Sequence, residues 1–197
     1  MLDDSILDDV KKADLAIFVG GLDATWEGEE MPGGINVEGF YNGDRTTIEL
    51  PKIQQNAIKK MMETGTPVVL VLMAGSSIAL NGLEKELDAI LMAWYPGQRG
   101  GDAVASVLFG DYNPGGKLPV TFYSSTSELP DFKDYNMRSG KGFTYRYYNG
   151  VVLYPGLLYT SDAADDRRCV DPGGGRVTEK KECYKHLTLP TNNTVTI

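Results

Sequence analysis

Residues 20–45 hold the densest set of groups able to do chemistry. Within them lie Asp23, Glu27, Glu29, Glu30, Glu38 and Asp44, beginning directly after the apolar run Leu15-Ala16-Ile17-Phe18-Val19. Loops longer than about 12–15 residues are uncommon unless they serve a function. Crowded carboxylates raise one another's proton affinity, which suits a general acid. The alternative is a solvated acidic loop, because carboxylate clusters also occur without function. Oxygen ligands would also suit Ca²⁺ or Mg²⁺, but EF-hand spacing is missing, and no metal site is expected.

Other motifs read as structure. Gly97-Gln98-Arg99-Gly100-Gly101-Asp102 is a glycine-rich turn into a helix, with Asp102 placed as an N-cap or first-turn acid. It matches neither nucleotide-binding glycine pattern. Asp44-Arg45 reads as a structural ion pair. Asn113-Pro114-Gly115-Gly116 has turn chemistry. Phe143, Tyr145, Tyr147, Tyr148 and Tyr154 read as a half-buried strand pair, with a sugar-stacking platform as the other option.

The inventory removes whole classes of function. The sole histidine, His186, and both cysteines, Cys169 and Cys183, fall in the last thirty residues. A zinc site, a Ser-His-Asp triad or a disulfide framework in the main body is therefore excluded. A net charge of −8 argues against a nucleic-acid partner. No apolar run approaches the roughly 18 residues of a membrane span. Met1-Leu2-Asp3-Asp4 lacks the basic start of a signal peptide.

The positioning elements follow from periodicity. Residues 6–13 form an amphipathic helix end, and residues 14–19 a buried strand. Pro51 opens a helix through Met62 with an apolar stripe of Ile53, Ala57, Ile58 and Met61, stopped by Gly65. Residues 67–73 and 87–94 are two more buried strands, 101–109 is a helix, and 118–123 a fourth strand, placed at an edge by Pro119. Apolar strands alternating with helices specify an α/β fold, a mostly parallel sheet with helices on both faces. Ligands in such sheets sit beyond the carboxyl ends of strands, here Gly20-Gly21, Ala74-Gly75 and Tyr95-Pro96-Gly97. Composition shifts near Gly156. Residues 157–197 carry six basic and six acidic residues, so the whole of the net charge belongs to residues 1–156. The breaker run Asp171-Pro172-Gly173-Gly174-Gly175 lies in this tail, which reads as irregular.

A long run of fixed spacings carries a family resemblance. Trp94-Tyr95-Pro96-Gly97-Gln98, Gly100-Gly101, Val107-Leu108-Phe109-Gly110-Asp111-Tyr112-Asn113-Pro114 and Gly116-Lys117-Leu118-Pro119-Val120-Thr121-Phe122-Tyr123 resemble the C-terminal α/β sandwich domain of glycoside hydrolase family 3. Val19 through Met31, with Trp26-Glu27-Gly28-Glu29-Glu30 at its centre, is similar to the acid/base loop of that family. Gly43-Asp44-Arg45, Ile48-Glu49-Leu50-Pro51, Leu129-Pro130-Asp131-Phe132 and Thr144-Tyr145-Arg146-Tyr147 extend the likeness toward its β-xylosidase and β-glucosidase branch.

The resemblance implies a retaining exo-glycosidase working through two carboxyl groups, with no cofactor. It implies Glu29 as acid/base, with Glu30 and Glu27 as alternatives, and Asp23 and Trp26 as substrate-binding residues. The nucleophile would come from a TIM-barrel domain preceding residue 1, and a fibronectin-III-like domain would follow. Residues 1–156 would then be a sandwich domain incomplete at its N-terminus, from a periplasmic or extracellular parent acting on oligosaccharides. Residues 157–166 and 169–176 resemble translated sequencing adapter, which would make residues 157–197 non-native. A non-catalytic carbohydrate-binding α/β module is the alternative function.

Overall fold

The computed structural model describes residues 3–26, 33–34, 36–116, 118–155, 186–188 and 194–196. Contacts divide them into two units. The first contains α1 (Asp4–Lys12), β1 (Ala16–Gly21), β2 (Phe40–Tyr41), β3 (Asp44–Arg45), α2 (Lys52–Met62), β4 (Val68–Met73), β5 (Ala89–Met92) and α3 (Gly100–Leu108). It also takes in β8 (His186–Thr188) and β9 (Thr194–Thr196), an antiparallel pair and the only described part of residues 156–197. The second contains β6 (Phe122–Tyr123), α4 (Thr144–Tyr147) and β7 (Val152–Tyr154). No described helix is long and apolar enough to cross a membrane.

The first unit is built on a parallel sheet in the order β1-β4-β5. Its centre, β4, is a continuous aliphatic run, and Val68 through Leu72 are at most 2% exposed. Burial of each such side chain stabilises the fold by about 1.5–3 kcal/mol. Val69 and Val71 pack with Ala89, Leu91, Val107 and Leu108, so α3 covers that face. On the other face, a side chain added at Gly20 would meet Gln54, which places α2 there. The expected α/β arrangement, with helices on both faces, is what the chain adopts.

Several elements differ from the sequence reading, each for a physical reason. β1 is not buried throughout: Ile17 is 42% and Val19 60% exposed. They register with Val69 and Val71, on the face that α3 covers over β4 and β5. The strand at 87–94 shortens to β5, because Trp94 takes φ +54° and leaves extended backbone. Ile53 points to solvent, at 66% exposed, while Ile58 and Met61 are buried as expected and Gln55 joins them. Residues 118–123 do not add to the parallel sheet. Only Phe122 and Tyr123 are extended, and they pair antiparallel with β7 across a bulge. Pro119 supplies no N–H for a longer ladder.

The second unit is pinned by one carboxylate. Glu128 Oε2 accepts hydrogen bonds from Lys141 Nζ and from the buried Tyr148 hydroxyl, both at 2.6 Å. Tyr148 also stacks edge-on against Tyr123, and Tyr154 lies tilted over Phe122. Tyr147 sits under Arg138, 5.0 Å from its ring centre. Tyr147, Tyr148 and Tyr154 are therefore engaged in internal contacts rather than laid out as a stacking platform. The expected strand pair is met only at Tyr154, since residues 144–147 form a helical turn. The Lys141 contact, followed by that of Tyr148, holds the Glu128 carboxyl below its ordinary value. A depressed carboxyl contributes stability that is present above its unfolded value and is lost as pH falls through the folded one. Glu128→Gln is expected to lower the thermal midpoint at neutral pH. The difference from the parent chain should close as the pH drops below the usual carboxylate range, as read by circular dichroism melts. An equal difference at every pH would show that the ionised form is not what stabilises.

Candidate functional site

The first strand ends at a recess. Gly21, Leu22, Asp23, Trp26 and Gln54 line an open pocket of about 180 Å³ beyond the carboxyl end of β1. Of the three strand ends picked out by sequence, this is the one at Gly20-Gly21.

Its geometry grows from the backbone of β1. The ladder continues one residue past the strand, with Leu22 N–H donating to Met73 O at 2.7 Å. Alternation along a parallel strand then turns the peptide groups of Gly21 away from β4. Gln54 meets both of them: its Nε2 donates to Gly21 O at 2.7 Å, and its Oε1 accepts from Gly21 N–H at 2.8 Å. Gly21 itself has φ +127°, and a Cβ there would lie 1.8 Å from Met73 O. Both the torsion and the contact demand glycine. Gly21→Ala is expected to destabilise the chain by about 3 kcal/mol, through strain and overpacking together. Urea titration checks this, and a change below about 0.5 kcal/mol, the scatter of ordinary surface substitutions, would show that the strand end relaxes freely.

Beyond Leu22 the chain closes a turn on Asp23. Its Oδ1 accepts from Thr25 N–H at 2.7 Å, from the Thr25 hydroxyl, and from Trp26 N–H at 3.2 Å. The Thr25 hydroxyl bond, then the backbone bonds, hold this carboxyl below its ordinary value. Asp23 is thus a carboxylate at neutral pH, a hydrogen-bond acceptor rather than a proton donor. The Trp26 ring stands edge-on to Phe40, centroids 5.6 Å apart.

Phe40 opens a short hairpin within the long acidic segment. β2 and β3 pair across Asn42-Gly43, both at positive φ (51° and 88°), as a two-residue turn of this hand requires. The Asn-Gly pair was the available signal. From β3, Arg45 Nη1 donates to Ser76 Oγ at 2.7 Å and Ser77 O at 3.2 Å, tying the hairpin to the loop after β4.

The structure thus brings together Asp23 and Trp26 of the predicted site residues. Glu27, Glu29 and Glu30 lie outside the described residues. Glu38 faces Lys52 at 3.8 Å on the surface. Among the described residues no three His, Cys, Asp or Glu side chains converge on a metal-sized site. Asp102 takes its expected place in the first turn of α3, paired with Arg99 at 2.9 Å. Gln54 is the lining residue that sequence reasoning missed.

The profile of the glycosyl hydrolase family 3 C-terminal domain matches residues 2–161. The chain belongs to this family. Among relatives of the family 3 domain, a xylan 1,4-beta-xylosidase of Xylanibacter ruminicola is 53% identical over 155 residues, covering 77% of this chain and 17% of the relative. A periplasmic beta-glucosidase of Salmonella typhimurium is 39% identical over 153 residues, covering 70% of this chain and 20% of that protein. In three dimensions the domain resembles a family 3 exo-beta-xylosidase, XlnD, solved with a xylobiose aziridine activity-based probe. That match has a TM-score of 0.65 at 32% identity, over 78% of this chain and 20% of the other. A beta-glucosidase of Kluyveromyces marxianus in complex with glucose gives a TM-score of 0.62 at 26% identity, over 79% and 19%. The chain therefore spans about a fifth of the length of the relatives it matches.

Proposed function

We propose that this domain is part of a retaining exo-β-glycosidase that removes terminal β-xylosyl or β-glucosyl units from oligosaccharides. The observation that carries the proposal is the 53% identity to a xylan 1,4-beta-xylosidase, and it favours xylose. The recess at the end of β1 fits the reading. It lies where open α/β sheets place ligands, and the chain passes from its lining residue Trp26 straight into Glu27-Gly28-Glu29-Glu30.

In this reading Glu29 is the acid/base, with Glu30 and Glu27 as the alternatives. Its protonated carboxyl gives a proton to the glycosidic oxygen while an aspartate of a TIM-barrel domain attacks the anomeric carbon. The carboxylate left behind then takes a proton from water, and that water displaces the aspartate from the sugar. Asp23, ionised, accepts a hydrogen bond from a sugar hydroxyl, and Trp26 offers an apolar wall. A fibronectin-III-like domain completes the parent. Residues 157–197 take no part in catalysis.

The test is the product of the enzyme joined to its barrel domain. With an aryl β-xyloside, proton NMR should show β-xylose first, turning into the α form only by later mutarotation. α-Xylose appearing first would overturn the retaining mechanism, and failure to cleave either β-xylosides or β-glucosides would overturn the substrate class.

A further inference from the structure

We infer that Gln54 is a positioning residue for the recess, setting the direction in which the chain leaves β1 and so the placement of Asp23 and Trp26. Its link to catalysis rests on the glycosidase reading above, whereas the contact itself does not.

In the described sheet β1 lies outermost beside β4, and the outward peptide groups of Gly21 meet Gln54. Gln54 takes both with a single planar amide, donating at 2.7 Å and accepting at 2.8 Å as a neighbouring strand would. At neutral pH an amide side chain offers a donor and an acceptor together in one plane, which a carboxylate of the same length does not. The close approach depends on the strand as well, for a Cβ on Gly20 would lie 2.6 Å from Gln54 Oε1.

The anchor is firm. Gln54 sits on an 11-residue helix whose neighbouring Gln55 donates to Leu50 O at 2.6 Å, and whose Ile58 is fully buried. The turn it controls is closed on itself by the Asp23 carboxylate. Such a self-contained turn moves as one piece when its root at Gly21 moves, carrying Asp23 and Trp26 with it. Misplacement of a binding group by about 1 Å can cost about a hundredfold in rate.

Two substitutions separate positioning from mere stability. Gln54→Leu keeps the bulk and removes both hydrogen bonds. Gln54→Glu keeps the acceptor but sets a carboxylate oxygen against Gly21 O at neutral pH; protonation restores a donor. Among the described residues Asp23 is the only titratable group lining the recess, and its bonds run to Thr25 and Trp26 rather than to Gln54.

Trp26 reports on the turn in the full chain once Trp94 is changed to Phe. Gln54→Leu should shift Trp26 emission to longer wavelength and speed its quenching by acrylamide, while the cooperative melt persists. Gln54→Glu should show the same shift at pH 7 and return to the Gln54 spectrum as its carboxyl is protonated, with the Gln54 protein unchanged over that range. In the enzyme joined to its barrel, Gln54→Leu should lower kcat/KM about ten- to a hundredfold. The inference is overturned if Trp26 emission in Gln54→Leu matches the parent, or if Gln54→Glu fails to recover at low pH. It is equally overturned if kcat/KM is unmoved. Should Gln54→Leu not fold, the recovery of Gln54→Glu decides alone. Absence of glycosidase activity with Gln54 in place would count against the proposed function, while the Trp26 spectra would still decide the role of Gln54.

Discussion

The purified 197-residue chain is expected to release no measurable aglycone from aryl β-xylosides or β-glucosides. Retaining hydrolysis needs two carboxyl groups about 5–5.5 Å apart across the anomeric carbon. In the proposed mechanism only one of them comes from this chain. The described acids near the recess do not supply the other. Asp23 is taken up by the turn to Trp26, and Glu38 stands at the surface beside Lys52. Joining the chain to a family 3 barrel should bring activity that either part lacks. Turnover by the chain alone that disappears in Glu29→Gln would show that no second domain is required. Turnover that survives Glu27→Gln, Glu29→Gln and Glu30→Gln together would lie outside this loop altogether.

What was legible in the sequence follows from how local each signal is. Pro51 and Gly65 bracket α2 because both act through their own backbone, and Gly65 indeed takes φ +83°. β4 was plain because a run from Val68 to Met73 buried on both faces must be apolar at every position. The ends of β1 and β5 were less plain. An apolar run does not show whether a strand lies in the middle of a sheet or at its edge, so the exposure of Ile17 and Val19 came only with the strand order. The departure of Trp94 into positive φ contradicts its own preference and is imposed by its surroundings.

The site divides in the same way. Asp23 was legible as one acid of the loop that follows the first strand, whereas Trp26 came with the family resemblance. Gln54 lies 33 residues from Gly21 in sequence, and a polar residue in an amphipathic helix reads as solvent-facing. Its role rests on a contact between two elements, and no spacing within either one reports it. The family likeness reached further because it compares many positions at once, and the match over residues 2–161 bears it out. It favours Glu29 over Glu27 and Glu30, which share the same short segment.

That choice has a large kinetic consequence. Removing an acid/base should slow hydrolysis by about 10²- to 10⁴-fold where the leaving group needs a proton. Activated aryl glycosides leave without one, so their first step should be nearly spared. In the second step water needs a general base but azide does not. Azide attacks the anomeric carbon, a C–N bond forms as the bond to the barrel aspartate breaks, and the product is a β-glycosyl azide. Gly28 allows an unusual backbone turn just before Glu29, which together with the family pattern favours Glu29. The decisive measurement is therefore azide rescue of Glu27→Ala, Glu29→Ala and Glu30→Ala in the enzyme joined to its barrel, with activated and poor leaving groups compared. Glu29→Ala alone should lose the poor substrate, keep the activated one, and form β-glycosyl azide. If Glu29→Ala shows neither effect while Glu27→Ala or Glu30→Ala shows both, the acid/base is that residue and the assignment of Glu29 is wrong.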